Sequence, residues 1–218
     1  MDLPPSQTSL PVSEPPQNKR RAVVKFALEL LQILAISLVI ILPVRYFLIQ
    51  PFYVKGASME PNFFDHEYLI IDELSYRLHD PVRGDIVVFK YPKDPKQYFI
   101  KRVIGLPGET VEIIDGKIRI YNKEYPNGFF LDETGYIDGV FTSSRQIVPL
   151  KAGEYYLMGD NRPASLDSRI FGPVERSHIV GRVLLRGYPV DRWKLFQSFE
   201  YPSPATGAST TTASTTSP

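Results

Sequence analysis

The feature that most restricts what this chain can become is an apolar run from Phe26 to Val44, 19 residues drawn mostly from Leu, Ile, Val and Ala. As a helix it would span roughly 28 Å at ~1.5 Å per residue, close to the hydrocarbon thickness of a bilayer. Glu29 and Gln32 sit one turn in, at headgroup depth. A buried core helix or a secretory signal would share this composition. A cleaved signal ends in small residues, whereas this run leads into Pro43-Val44-Arg45-Tyr46-Phe47 with no A-x-A pattern. The reading is an uncleaved anchor. Lys19, Arg20, Arg21 and Lys25 precede or open it, so the positive-inside rule puts the N-terminus in the cytoplasm and everything after residue 45 outside.

With 218 residues, one globular domain with appendages is the expectation. The net charge of +1 does not point to nucleic acid. The absence of cysteine excludes disulfides, thiolate catalysis and cysteine-bound zinc. His66, His79 and His178 are isolated in sequence, so no metal site is expected. Residues 1–18 hold five prolines without apolar periodicity, and residues 203–218 hold ten Ser or Thr; both read as disordered or low-complexity tails.

Between the tails the chain reads as mainly β, a single N-terminal membrane helix followed by a β-rich ectodomain. Tyr68–Ile71, Asp85–Phe89, Phe99–Ile104, Tyr155–Met158 and Ile179–Leu185 are short runs rich in β-branched or aromatic residues. Val111–Ile114 and Lys117–Tyr121 flank Asp115-Gly116, the signature of a hairpin closed by a type I′ turn. Residues 122–150 show little periodicity and read as an insertion or long loop.

Two local motifs carry chemistry. Ser58 lies in Gly56-Ala57-Ser58-Met59-Glu60-Pro61, and Lys101, 43 positions later, lies in the apolar run Phe99-Ile100-Lys101-Arg102-Val103-Ile104. Serine needs a base to act as a nucleophile at neutral pH. None of the histidines has a recognisable triad setting, although a triad assembled in space is not excluded by sequence. An exposed lysine titrates near 10.4, and bringing it to about 8 costs roughly 3 kcal/mol, which desolvation by apolar neighbours supplies. The alternative is a surface lysine beside Arg102, and spacing does not separate the two. A third motif, Gly159-Asp160-Asn161-Arg162-Pro163-Ala164-Ser165-Leu166-Asp167-Ser168-Arg169, is either an ordinary polar loop or a supporting shell, with Ser165 bonding the amine and an Asp167–Arg169 ion pair stiffening the loop.

Together these motifs resemble the bacterial type I signal peptidases, the membrane-anchored Ser/Lys leader peptidases of family S26. The resemblance runs from the anchor to about Gly187 through four boxes in order: Ser58-Met59-x-Pro61, Arg83 to Phe89, Lys101 to Glu109, and Gly159 to Arg169. It implies a serine endopeptidase that removes signal peptides from exported preproteins after small residues (A-x-A), without a cofactor or metal. Ser58 would be the nucleophile, Lys101 the general base and Ser165 the residue orienting the lysine. Asp160, Asp167 and Arg169 would be structural supports, with Arg102 an ion-pair partner. Phe52, Val54, Met59 and Ile100 would shape the substrate groove. Tyr46, Phe47, Phe52 and Tyr53 would hold the site at the membrane face, close to the lipid bilayer and the export translocase.

Two positions depart from the family pattern. Gly56 stands where some members have a serine that helps the oxyanion hole, leaving that hole to backbone groups including the Ser58 N–H. Asn62-Phe63 replaces the usual Thr-Leu, a change expected to alter packing more than chemistry. The division expected is a cytoplasmic tail (1–22), a transmembrane anchor (23–46), a catalytic domain (47–200, with hairpin and insertion at about 110–153) and a Ser/Thr tail (201–218). The insertion is too short for a large second domain. Competing readings are another Ser/Lys protease, such as a soluble self-cleaving repressor, and a membrane-anchored β-rich binding module without catalysis.

Overall fold

The computed structural model describes residues 19–43 and 49–202. The expected tails at 1–18 and 203–218, together with Arg45, Tyr46 and Phe47, lie outside the described residues. The chain falls into two units divided between Val44 and Arg45. The first contains α1 (Lys19–Pro43), which begins ahead of Phe26 and takes in the basic residues. From Arg21 to Leu42 it is long and apolar enough to cross a membrane, and none of that span is buried within the protein. Every side chain from Arg21 to Leu42 is exposed apart from half-buried Ser37. A core helix would pack a face against its own protein, so the exposed apolar surface suits a bilayer.

The second unit is mainly β, as the run pattern indicates. One sheet of eight strands runs in the order β1 (Ile49–Tyr53), β2 (Tyr68–Asp72), β11 (Ile179–Tyr188), β3 (Ile86–Tyr91), β4 (Asp94–Gly105), β9 (Glu154–Met158) and β10 (Val174–Glu175), with β12 (Lys194–Leu195) on β11. Its pairings are antiparallel. A second sheet orders β7 (Phe129–Phe130), β6 (Lys117–Tyr121), β5 (Thr110–Ile114) and β8 (Gln146–Pro149). Two single-turn helices, α2 (Ser75–Leu78) and α3 (Ser168–Phe171), complete the unit.

Alternation along β3 shows where the site must sit. Ile86 and Val88 join a core with Val54, Met59, Phe63, Leu69, Ile71 and Val183. Val87 and Phe89 join another with Tyr76, Val103, Tyr155, Leu157, Val174 and Ile179. Successive side chains of a strand point to opposite faces, so β3 is covered on both faces, and its partner β4 carries Lys101 opposite Val87. A third core, holding Val111, Ile113, Ile118 and Ile120 with Ile104, Tyr156 and Met158, fastens the small sheet to the large one.

Three regions differ from the reading of the chain. The stretch 122–150 is not a loop throughout: β8 pairs with β5 in the register Val111↔Val148 and Ile113↔Gln146, and β7 pairs with β6. These strands are two to four residues long, too short for alternation to register, and they form only because β5 and β6 offer edges. The strand β1 carries Pro51, which argues against a central strand, yet among the described residues β1 pairs only with β2 and an edge tolerates the missing N–H. The strand β4 extends back to Asp94 through residues exposed to solvent.

The β5–β6 turn has φ of 50° at Asp115 and 77° at Gly116, as a type I′ turn requires. A Cβ on residue 116 would also enter the ring of Phe141. Gly116→Ala is therefore expected to cost at least ~1 kcal/mol from the left-handed backbone alone, with more from the displaced ring, read as a lowered thermal midpoint of the full-length protein in detergent. An unchanged midpoint would contradict this account of the turn.

Candidate active site

The segment after β1 forms a closed loop. Val54 N donates to Glu67 O (2.8 Å) and His66 N to Val54 O (3.1 Å), which pins its neck. Within it Glu60 N donates to Ala57 O and Phe63 N to Met59 O, while Gly56 N donates to Asp65 Oδ1 at 3.0 Å. Met59 and Phe63 drive the loop into the core, at 1% and 0% exposure. Ser58 is held between these anchors with its side chain half-exposed.

Lys101 reaches this loop from β4. Its Nζ donates to Ser58 Oγ at 2.7 Å and to Ile100 O at 2.8 Å, and the residue is 3% exposed. Burial pushes the amine down to about 8, against the opposing pull of Asp167 and Asp160. Arg102, next along the strand, meets a different environment. Its Nε and Nη2 donate to the two oxygens of Asp160 at 2.8 and 2.7 Å, its Nη1 to Gly84 O at 3.1 Å, and its guanidinium lies 3.9 Å from the centre of the Tyr136 ring. Arg102 is thus a paired, buried charge, whereas Lys101 meets a hydroxyl, a carbonyl and the Phe99 ring, whose centre lies 5.5 Å from Nζ.

The segment after β9 braces both. Asn161 N donates to Ser58 O (3.1 Å) and its Nδ2 to Ala57 O (3.0 Å). Asp167 accepts from Gly159 N (3.1 Å) and from Arg169 Nε and Nη2 (both 2.8 Å), and caps α3 through Arg169 N. Arg162, whose side chain is 0% exposed, pairs with Glu133 and donates to Thr142 Oγ1 at 2.6 Å. The geometry thus holds an Asp167–Arg169 pair and an Arg102–Asp160 pair beside Ser58 and Lys101.

Two expectations are corrected. Ser165 does not bond the lysine: its Oγ is buried without a hydrogen-bond partner, because Lys101 Nζ is engaged by Ser58 and Ile100 while the Ser165 hydroxyl lies against Gly159, where any Cβ would collide with it and with the Ser58 carbonyl. Met59 does not shape the groove, because its side chain is sealed in the core beneath the loop. Phe52, Val54 and Ile100 do line a groove of about 280 Å³ that opens on Ser58 and Lys101. Leu69, Val88, Tyr98, Phe99 and Leu166 line it too. They come from β2, β3, β4 and the segment before α3; Val88 falls in the Arg83–Phe89 box, Phe99 in the apolar run around Lys101 and Leu166 in the last box, whereas Leu69 and Tyr98 carry no motif. None of the three histidines lines this groove, and His66 Nδ1 instead lies 3.1 Å from Asp65. Among the described residues no group of three or more His, Asp or Glu side chains is placed to hold a metal ion.

A family model described as signal peptidase, peptidase S26, matches residues 27–188. The probable signal peptidase I-1 of Synechocystis sp. is 33% identical over 184 residues, covering 81% of this chain and 90% of that protein. Signal peptidase I of Leptolyngbya laminosa is 34% identical over 198 residues, 88% of this chain and 93% of that one. Signal peptidase IB of Staphylococcus aureus is 31% identical over 181 residues, 78% and 94%.

Asp160→Ala should leave the Arg102 guanidinium buried and uncompensated, which costs about 3–5 kcal/mol. Chemical denaturation of the full chain in detergent measures this, and a loss below 1 kcal/mol would mean the pair is solvated in practice.

Proposed function

This chain belongs to the signal peptidase family, peptidase S26, whose members are serine endopeptidases that cleave signal peptides, and we propose that Ser58 is its nucleophile and Lys101 its general base. The observation that carries this reading is the 2.7 Å contact between the buried Lys101 amine and Ser58 Oγ at the floor of an apolar groove. A neutral amine at that distance is in reach of the hydroxyl proton. Lys101 takes it as Ser58 Oγ attacks the scissile carbonyl, and the oxyanion that forms is met by backbone donors including the Ser58 N–H. Collapse breaks the C–N bond, and the proton on Lys101 passes to the departing amine. The acyl-enzyme ester is then hydrolysed by a water that gives its proton to the same lysine.

In this reading the substrates are exported preproteins bearing signal peptides. The groove bounded by Phe52, Val54, Ile100, Leu69 and Val88 favours small side chains at the first and third positions before the cut, consistent with the A-x-A pattern. Asp160, Arg102, Asp167 and Arg169 act as supports that hold the two reacting side chains, and Ser165 contributes a buried hydroxyl beside them. The apolar helix anchors the protein, with the basic N-terminal side in the cytoplasm and the catalytic unit on the outer face. There the scissile bond of a membrane-inserted preprotein emerges near the lipid surface and the export translocase.

In detergent-solubilised full-length protein, Ser58→Ala and Lys101→Ala are each expected to abolish cleavage of a preprotein while leaving the circular dichroism spectrum unchanged. Substantial residual cleavage by either would sink the assignment. The pH dependence follows from the amine: below its pKa it is charged and accepts no proton, so the rate should rise with pH through an acid limb near about 8 and then level off. A limb near 6.5 would point to a histidine and one near 10.4 to an exposed lysine.

A further inference from the structure

Asn62 stands where the family pattern has threonine, and from sequence it promised a change of packing. Its side chain is instead a junction. The two hydrogens of its amide go to different parts of the fold: Nδ2 donates to Asp160 Oδ2 at 2.8 Å and to Tyr136 O at 2.9 Å. Its backbone N–H donates to Met59 O at 2.9 Å, and its carbonyl accepts from Arg186 Nη2.

The partner on the other side makes this more than a loop contact. Asp160 is 1% exposed, so its oxygens depend on protein donors, and it has three: Arg102 Nε on Oδ1, with Arg102 Nη2 and Asn62 Nδ2 on Oδ2. Arg102 neighbours Lys101 on β4, and Asn62 follows Ser58 by four positions in the nucleophile loop. One carboxylate therefore joins the segments that carry the two reacting atoms. Asn161 holds the same loop on the other side of Ser58, through Ala57 O and Ser58 O. With attachments before and after it, the serine has little freedom to swing away from the amine.

We infer that Asn62 is a positioning residue for catalysis: its amide seats the Ser58 loop against the Asp160–Arg102 pair and so sets the separation between Ser58 Oγ and Lys101 Nζ. The inference rests on the reading of Ser58 and Lys101 as the reacting pair. Asn62 also has an electrostatic consequence. The groups that act on Lys101 are Asp160 and Asp167, with Arg102 adjacent and paired to Asp160. Removing one of three donors from Asp160 leaves more of its negative charge to be felt at the lysine, which favours the charged amine.

The test compares preprotein cleavage by full-length wild type, Asn62→Ala and Asn62→Thr in detergent over a range of pH. Asn62→Ala is expected to lower kcat about tenfold or more, since small misplacement of reacting groups is costly, with KM changed less than kcat and the acid limb moved to higher pH. Threonine has one hydroxyl donor and satisfies at most one of the two acceptors, so Asn62→Thr should fall between alanine and wild type in both readouts. A lowered melting temperature with kcat and acid limb unchanged would reduce Asn62 to a structural part and overturn the inference. If Asn62→Ala does not fold, Asn62→Thr decides alone, and wild-type kcat with a wild-type limb overturns it. Cleavage that survives in Ser58→Ala would overturn the underlying reading instead, whereas an inactive Ser58→Ala beside a fully active Asn62→Ala removes only this inference.

Discussion

Two adjacent cations on one strand, buried to the same depth and given unequal company, are the arrangement on which the rest of this structure depends. Lys101 and Arg102 are each 3% exposed. Removing a charge from water is expensive, and a group either finds a counter-ion or tends to lose its charge. Arg102 finds Asp160 in a two-pronged pair. Lys101 finds Ser58 Oγ, the Ile100 carbonyl and the Phe99 ring, none of them a counter-ion. The difference in partners, added to the fact that a guanidinium stays charged in proteins while a buried amine does not have to, leaves the lysine as the group that can give up its proton and pick one up again.

Maintaining that inequality takes structure on every side. The apolar clusters on the two faces of the large sheet exclude water. Largely buried ion pairs fix the connecting segments: Arg83–Glu109 closes the turn after β4, and Arg162–Glu133 ties the last polar segment to the residues beyond β7. Such pairs are weak evidence for stability, because desolvation offsets much of their attraction. Their geometric demand is strict, however, and here it falls on the segments that carry Ser58, Lys101 and the polar residues between Gly159 and Arg169.

Much of this was legible in the chain before it folded. The apolar run at the N-terminus announces its helix, and the alternation around Asp115-Gly116 announces its hairpin. The small-residue elbow at Ser58, the lysine set in apolar neighbours and the polar box at 159–169 mark the site. The groove is harder to read. Phe52, Val54 and Ile100 follow from resemblance, but Met59, though beside the serine, turns into the core. Leu69 and Tyr98 reach the groove from outside any motif, and Val88 lies in a box that does not mark it as a lining residue. Ser165 lies in the right box with its hydroxyl against Gly159 and away from any partner. A side chain's direction depends on what packs around it, and a one-dimensional pattern does not contain that.

By itself the sequence determined the class of the protein and marked Ser58 and Lys101 as candidates for its chemistry, because periodicity, turn chemistry and motif order are local properties. The tertiary structure alone decided which cation is paired, which hydroxyl meets the amine and which groups Asn62 bonds. Those are questions of distance and burial between residues as far apart as Asn62 and Asp160, 98 positions along the chain. They are answered only when the strands β3, β4 and β9 bring separate segments together and the water between them is gone.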